Sequence, residues 1–581
     1  KMKRIILFII ALLFFMPFSS KATTVKYNVG DFAEKTINSQ AGDRTGSQVT
    51  WAGDVNGDGY DDLLIGASGA NPTPLEYEGQ DTQGVVYLFY GPFTANDSID
   101  LEAADVYFYE DSGIGRLVAA LGDVNGDGYD DFIIENYLVL GSSSLSGEVM
   151  LETDANAYFV SENDCVGENS LADEVSYAGD INNDGYNDIL IGWEQDYDAV
   201  DIGGGYYNCT ANELYYSFLF YGGPSAFSGE INAFTSADVI FTDTTSYTGD
   251  VMSGVGDVNG DSYDDFVLAG GKQYLMYGSA LLSPTIDLTT QADVEFDTSS
   301  TDWYYDSIAN IGDLNTDGYD DIIFGSTGYC PDDTTQIGKV YIYLGGPSLS
   351  SVLTESDADA YIEGLDHGDR LGVIAPAGDF DQDGYDDYMV GMQGDDEFIN
   401  DGGAVFLFNG NASISGQILL SEAAIKIQGA LEDDRIGNYL SAMRGDANSD
   451  GIESDVLIGN IYTGSSDNTG VVYLLMHQYH IPTSLDKVRN FRKKGTIYKW
   501  NKVEGKDHYR LVLKLGKKVV KSWSSNKNSL TTSKVKSFLE KKQINHFKYN
   551  KRKNLTFKVR AVNGELKGEF SNAIFLPKKW F

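Results

Sequence analysis

Acidic side chains recur along this 581-residue chain at a spacing that suits hard-cation chemistry. In the stretch that begins at Asp54, the residues Asp54, Asn56 and Asp58 alternate, Gly59 allows a sharp turn, and Asp62 ends the run. Side chains at positions 1, 3, 5 and 9, with the main-chain carbonyl of Tyr60 at position 7, are expected to converge on one point. About three carboxylates among oxygen donors suit Ca2+, which takes roughly six to eight oxygens, whereas Mg2+ wants fewer protein ligands. Without a cation, carboxylates so crowded repel one another or take up protons. A single D-x-N-x-D-G stretch is often no more than a polar turn. Here the pattern D-x-[DN]-x-D-G-Y-x-D returns, with variations, from Asp54, Asp123, Asp180, Asp257, Asp313, Asp379 and Asp446, at steps of 56 to 77 residues.

The twelfth position separates these loops from helix-flanked calcium modules, which need an acidic ligand there. It is Ile65, Ile134, Ile191, Leu268, Phe324, Val390 and Leu457, apolar every time. An EF-hand or a dockerin-type loop is thereby excluded, and the position belongs to a buried strand.

Strands must hold such loops, and the repeat supplies them. Each loop runs into an apolar stretch such as Leu63-Leu64-Ile65-Gly66 or Val456-Leu457-Ile458-Gly459. A second stretch of β-branched and aromatic residues follows, at Val85–Tyr90, Tyr137–Leu140, Tyr215–Phe220, Gln273–Tyr277, Lys339–Leu344, Ala404–Phe408 and Val471–Met476. These fit a pleated, half-buried surface. A third element opens on Ala, as in Ala104-Asp105-Val106-Tyr107-Phe108 and Ala237-Asp238-Val239-Ile240-Phe241. About 65 residues per repeat is room for one four-stranded sheet, the size of a propeller blade. The third element is missing after Val471–Met476, and a similar stretch, Thr23-Thr24-Val25-Lys26-Tyr27, lies near the N-terminus. That stretch is expected to supply the outer strand of blade seven and so close the ring, hiding the sheet edges.

The loops, with an upstream glycine turn such as Thr45-Gly46-Ser47 and a downstream Gly66-Ala67-Ser68, resemble the FG-GAP repeats of the integrin α-chain propeller and its bacterial relatives, over roughly residues 23–480. The resemblance implies an all-β fold, a seven-bladed β-propeller with calcium-binding hairpin loops, and roles in adhesion or ligand binding. By position it implies a metal-ligand set in each loop: Asp54, Asn56, Asp58, Tyr60 and Asp62; Asp123, Asn125, Asp127, Tyr129 and Asp131; Asp180, Asn182, Asp184, Tyr186 and Asp188. The set continues with Asp257, Asn259, Asp261, Tyr263 and Asp265; Asp313, Asn315, Asp317, Tyr319 and Asp321; Asp379, Asp381, Asp383, Tyr385 and Asp387. Up to seven Ca2+ are expected, one per blade. Blade four carries Ser262 in place of the turn glycine, and a left-handed turn there costs a serine about 1 kcal/mol. Blade seven is irregular: Asp446, Asn448 and Asp450 keep their places, position 9 is Ser454, and Asp455 comes one residue late. Arg444-Gly445-Asp446 spells a tripeptide that integrins recognise, but Asp446 is here the first residue of a loop.

The remaining chain differs in style. Its net charge is −46 overall, yet residues 484–581 hold 27 Lys+Arg against 6 Asp+Glu, a balance of +21 that leaves −67 for residues 1–483. A domain boundary near Pro482 follows. Trp500, the run His508–Leu513, and Leu555-Thr556-Phe557-Lys558-Val559-Arg560-Ala561-Val562-Asn563 resemble a fibronectin type III domain, which implies a β-sandwich over 484–581 following the propeller. Its spread lysines are a solvated surface or a face for an anionic surface polymer; no base-reading motif points to specific nucleic-acid recognition.

At the N-terminus Lys1, Lys3 and Arg4 precede the apolar run Ile5–Phe18, and Ser20-Lys21-Ala22 offers small residues at a cleavage site. A signal peptide over 1–22 is expected, with no later membrane span and a secreted or cell-surface location. Cys165 and Cys209 lie in one repeat and either pair or stay reduced; Cys330 is left over both ways. Five histidines, His367, His477, His480, His508 and His546, form no catalytic motif. The leading expectation is a non-catalytic binder of an extracellular protein or glycan. A propeller-based polysaccharide lyase or hydrolase, its acid–base pair hidden among spare carboxylates, is the competing class, and a purely structural spacer is a third.

Overall fold

A computed structural model describes residues 25–28, 35–38, 43–70, 84–93, 98–110, 113–160, 174–201, 207–243, 248–297, 307–328, 336–396, 401–429, 432–441, 444–446, 454–461 and 470–475. Beyond these it describes strand backbone within 492–575. The chain divides into two units, Lys1–Met476 and His477–Phe581.

In the first unit the apolar stretches pair as antiparallel sheets, seven in number. Blade one shows the pattern: Thr45–Gly53 pairs with Asp62–Ala67, that with Val85–Phe89, and that with Val106–Tyr109. Every residue of Asp62–Ala67 is buried. This accounts for its unbroken apolar run, because successive side chains point to opposite faces and both faces are covered. Leu63 and Ile65 enter a core shared with Leu457 and Val472 of blade seven. Leu64, between them, enters a core shared with Phe132 and Ile134 of blade two. The hydrophobic cores therefore sit between blades, and the first strands of neighbouring blades lie against one another around the ring.

The seam between blades is tight where glycines meet. A Cβ placed on Gly66 would lie 2.5 Å from the carbonyl oxygen of Gly115, so the downstream glycine of blade one abuts the upstream glycine of blade two.

Each sheet carries a fifth strand that the sequence did not announce. Gly147–Met150, from the connection inside blade two, pairs in parallel with Val106–Tyr109 of blade one. The same lending recurs from Gly229–Asn232, Thr285–Asp287, Val352–Thr354 and Gly416–Ile418. This corrects the expected closure. The N-terminal segment does complete the ring, but with two strands. Strand β1, Val25–Asn28, pairs in parallel with Ile425–Gln428 as the fifth strand of blade six. Strand β2, Lys35–Asn38, pairs with Val471–Leu475 as the fourth strand of blade seven. The stretch ending at Tyr27, expected to be the outer strand of blade seven, thus belongs to its neighbour. Strands β1 and β2 thus take the places that, in the other blades, a lent strand and an outer strand from the chain after the third strand fill.

In the second unit the backbone forms two antiparallel sheets. One joins Arg492–Lys494, Ile497–Lys499 and Ser529–Thr531. The other centres on His508–Leu515 between Lys518–Ser525 and Leu555–Asn563. Trp500 and the segment 1–22 lie outside the described residues.

Candidate metal centres

Each aspartate loop joins the first two strands of its blade. In blade one Gly53 pairs with Asp62 across the mouth of the loop, after a bulge between Trp51 and Gly53. Inside it the side chains serve the backbone. Asp54 accepts from the N–H groups of Asp58 (Oδ1, 2.9 Å) and Gly59 (Oδ2, 2.8 Å). Asp58 Oδ1 accepts from Tyr60 N–H (3.1 Å), and Asn56 Nδ2 donates to Asp58 Oδ2 (3.1 Å). The sharp turn is left-handed at Gly59, φ +89°. Asp123, Asp180, Asp313 and Asp379 accept likewise from the fourth and fifth residues after them. Backbone amides thus hold the first aspartate in place before any ion arrives.

The ninth residue is pinned harder. Asp62 is fully buried; its Oδ2 accepts from Val55 N–H (3.0 Å) and its Oδ1 from Gly91 N–H (2.9 Å) at the end of the third strand. Asp131, Asp188, Asp265, Asp321 and Asp387 repeat both bonds. Burial, reinforced by the carboxylates at positions 1 and 5, raises Asp62 to about 8 against the lowering pull of those amides. Asp188, Asp265 and Asp387 reach about 8 by the same leading cause, Asp131 and Asp321 about 7.

Whether these residues fit a divalent cation can be tested on loop six. There single oxygens of Asp379, Asp381 and Asp387 all lie within 4.8 Å of one another. Asp381 Oδ1 is buried with no protein partner, and so is Asn182 Oδ1 at the same position of loop three. A buried acceptor left without a donor is costly, and a cation among these oxygens would supply what the protein does not. The donor set is all oxygen, as Ca2+ prefers.

Blade four keeps the geometry despite its serine. Ser262 takes φ +74°, and its N–H still donates to Asp257 Oδ2 (2.9 Å). In blade seven Asp446 is described, while Asn448 and Asp450 lie outside the described residues. Asp455 fills the ninth place: its N–H donates to Gly445 O (2.9 Å), as that of Asp321 donates to Gly312 O (3.0 Å). The loop of blade seven is one residue longer, and Asp455 rather than Ser454 resumes the register.

Sequence reasoning overlooked the eighth residue, the first of each Asp-Asp doublet. Asp130 Oδ2 accepts from Asp54 N–H of the preceding blade (2.7 Å), and Asp130 N–H donates back to Asp54 O (3.2 Å). Asp264 clasps Asp180 in this way, Asp320 clasps Asp257, and Asp386 clasps Asp313. Asp61 Oδ2 accepts from Asp446 N–H (2.6 Å), which carries the clasp across the closure from blade seven to blade one. The doublets were visible; their partners, in the neighbouring blade, were not. The tyrosines join in: a Cβ on Gly57 would lie 2.6 Å from Cε1 of Tyr129, the seventh residue of the next loop. Arg444 turns inward, with Nη1 on Asp386 Oδ1 (3.1 Å) and Nη2 on Asp386 Oδ2 (3.2 Å) and Ile311 O (2.7 Å).

The rim at the other ends of the strands varies. Blades two and four turn tightly between their second and third strands, whereas in blade three Asp188–Asp201 and Tyr207–Phe220 are 14 residues each and stay paired to Asp201↔Tyr207. Cys209 sits opposite Ala199 on this hairpin; Cys165 and Cys330 lie outside the described residues.

The FG-GAP repeat family matches residues 45–89, the first three strands of blade one with their loop. Integrin alpha-5 of Xenopus laevis is 32% identical over 163 residues, 27% of this chain and 14% of that protein. Phosphatidylinositol-glycan-specific phospholipase D of Bos taurus is 30% identical over 165 residues, 28% of this chain and 19% of that protein. Integrin alpha-PS2 of Drosophila melanogaster is 42% identical over 82 residues, 14% of this chain and 6% of that protein. The alignments span less than a fifth of each of these relatives. With the seven sheets, they describe an integrin-like FG-GAP propeller.

Proposed function

We propose that this chain is a secreted or cell-surface protein whose propeller, stabilised by calcium, binds a protein or glycan ligand without catalysing a reaction. The observation that carries the reading is the contrast between the two rims. One repeats an aspartate loop with the same hydrogen bonds in blade after blade, while the other changes length from a tight turn to the long hairpin of blade three. Residues spent on repetition serve the scaffold, and loops that vary on a rigid scaffold are where binding commonly resides. Residues 194–201 carry that hairpin about 26 Å past the length of an ordinary blade strand, reach enough to meet a macromolecule.

In each loop the first, third, fifth and ninth side chains and the seventh carbonyl would hold Ca2+. The bound ion would neutralise the clustered carboxylates and tie two strands together. The basic unit, taken as a fibronectin type III-like sandwich, would face an anionic surface polymer. A catalytic reading has one observation in its favour, a relative whose name includes phospholipase D, but the aligned stretch is only 19% of that protein.

The test is a screen against glycans and surface proteins, with calcium and with a chelator, followed by turnover assays on any polysaccharide that binds. Calcium-dependent binding without turnover is expected. Turnover would overturn the non-catalytic reading, and melting unchanged by the chelator would overturn the calcium one.

A further inference from the structure

The clasp between neighbouring blades touches the proposed calcium sites on both of its sides. Asp54, the first ligand of loop one, is held through its N–H and its carbonyl by Asp130. Asp130 in turn stands between Tyr129 and Asp131, the seventh and ninth positions of loop two. Asp131 is anchored through Val124 and Gly141, and the Tyr129 ring lies over Gly57 of loop one. The same succession links loop four to loop three through Asp264, loop five to loop four through Asp320, and loop six to loop five through Asp386.

We propose that these eighth-position aspartates are positioning residues that couple adjacent calcium loops, so that neighbouring sites fill cooperatively. The proposal rests on the calcium reading above and goes beyond it. An ion in loop two fixes the carbonyl of Tyr129 and the carboxylate of Asp131, and therefore the residue between them. The fixed Asp130 holds the main chain of Asp54 on both of its polar groups, which orders the first ligand of loop one. The second ion meets a loop already ordered, and the conformational entropy it would otherwise lose has been lost with the first. Coupling of this kind is reciprocal, because each ion shifts the same equilibrium.

The experiment is a calorimetric titration of the calcium-depleted full chain with CaCl2. Asp127→Ala removes an exposed fifth-position ligand of loop two and no part of the clasp. Coupling predicts the loss of one site and a weakening of a second by about tenfold, within the usual range for linked sites. In an Asp130→Ala background the second site should be weak already, and Asp127→Ala should weaken it no further. Asp130→Asn keeps the shape of the side chain and one acceptor oxygen, and should restore the coupling. A clasp that only stiffens the fold would lower melting in Asp130→Ala yet leave the titration of the remaining sites unchanged. If Asp127→Ala removes one site and the rest of the isotherm superimposes on that of the unaltered chain, the proposal is overturned. Should either variant fail to fold by circular dichroism, Asp261→Ala with Asp264→Ala makes the same comparison between loops four and three. An unaltered chain that binds no calcium overturns the calcium reading itself, an outcome distinct from independent sites.

Discussion

Asp62 and its counterparts are pulled in two directions at once. Two main-chain amides favour the ionised form, while burial and the neighbouring carboxylates favour the protonated one, and burial wins, to about 8. The unfolded value is near 3.8, so the folded pKa is raised. A raised carboxyl contributes stability that is complete below the unfolded value and is lost as pH rises through the folded one. Calcium-depleted protein is therefore expected to melt progressively lower from pH 5 to pH 8.5, and calcium, which displaces those protons, to bind more tightly over the same interval. Melting curves at three pH values, with and without calcium, check this; a depleted protein equally stable at both ends would contradict it. Ser262 offers a second residue-scale test. Ser262→Gly relieves a left-handed serine worth about 1 kcal/mol, less the entropy that glycine adds to the unfolded chain. A rise in the denaturation midpoint is the expected result, and an unchanged or lowered midpoint would show that the serine is unstrained. The alternating ligands were legible in the sequence because they lie within one loop of nine residues. The eighth residue was not, because its partner Asp54 is 76 residues away.

The propeller's elements divide by the same rule. Strands such as Leu63-Leu64-Ile65 announced themselves, since a run buried on both faces must be apolar throughout. The lent fifth strands did not. Ser98–Asp100 and Thr285–Asp287 are three residues long, and parallel pairing to another blade leaves no local period to read. The N-terminus is ambiguous for the same reason: Val25–Asn28 resembles an outer strand in sequence, whereas its counterparts in the fold are the lent strands. The corrected closure makes Ile37 the test of the latch. It is fully buried on β2, in the core formed with Trp51, Leu457 and Val472. Ile37→Ala should cost about 2 to 5 kcal/mol, the usual range for emptying such a site, read from denaturant midpoints in calcium. A loss within experimental error would mean that the ring is closed by blades one and seven alone, through contacts such as Trp51 Nε1 to Asp455 O (2.9 Å).

At the scale of the whole molecule the question is whether calcium acts locally or merely lightens the charge. The chain carries 87 acidic residues against 41 Lys+Arg, and self-repulsion alone would make any cation stabilising. The two effects part company in monovalent salt. At 1 M NaCl the Debye length falls to about 3 Å, which screens exposed charges well apart on the surface. It does little for Asp62, buried and hydrogen-bonded, or for the unpartnered oxygen of Asp381, which needs a ligand rather than an atmosphere. Site binding instead adds by mass action: at free calcium a hundredfold above its dissociation constant each site contributes about 2.7 kcal/mol. Because every described core joins two blades, the gains of several sites should fall on one cooperative transition of the propeller. Calorimetric scans of chelated protein should therefore show that transition restored by millimolar calcium and barely moved by 1 M NaCl. Full recovery in NaCl would assign the stabilisation to general screening and leave the aspartate loops as ordinary polar turns. A recovery specific to calcium would make the loops the fastenings of the ring.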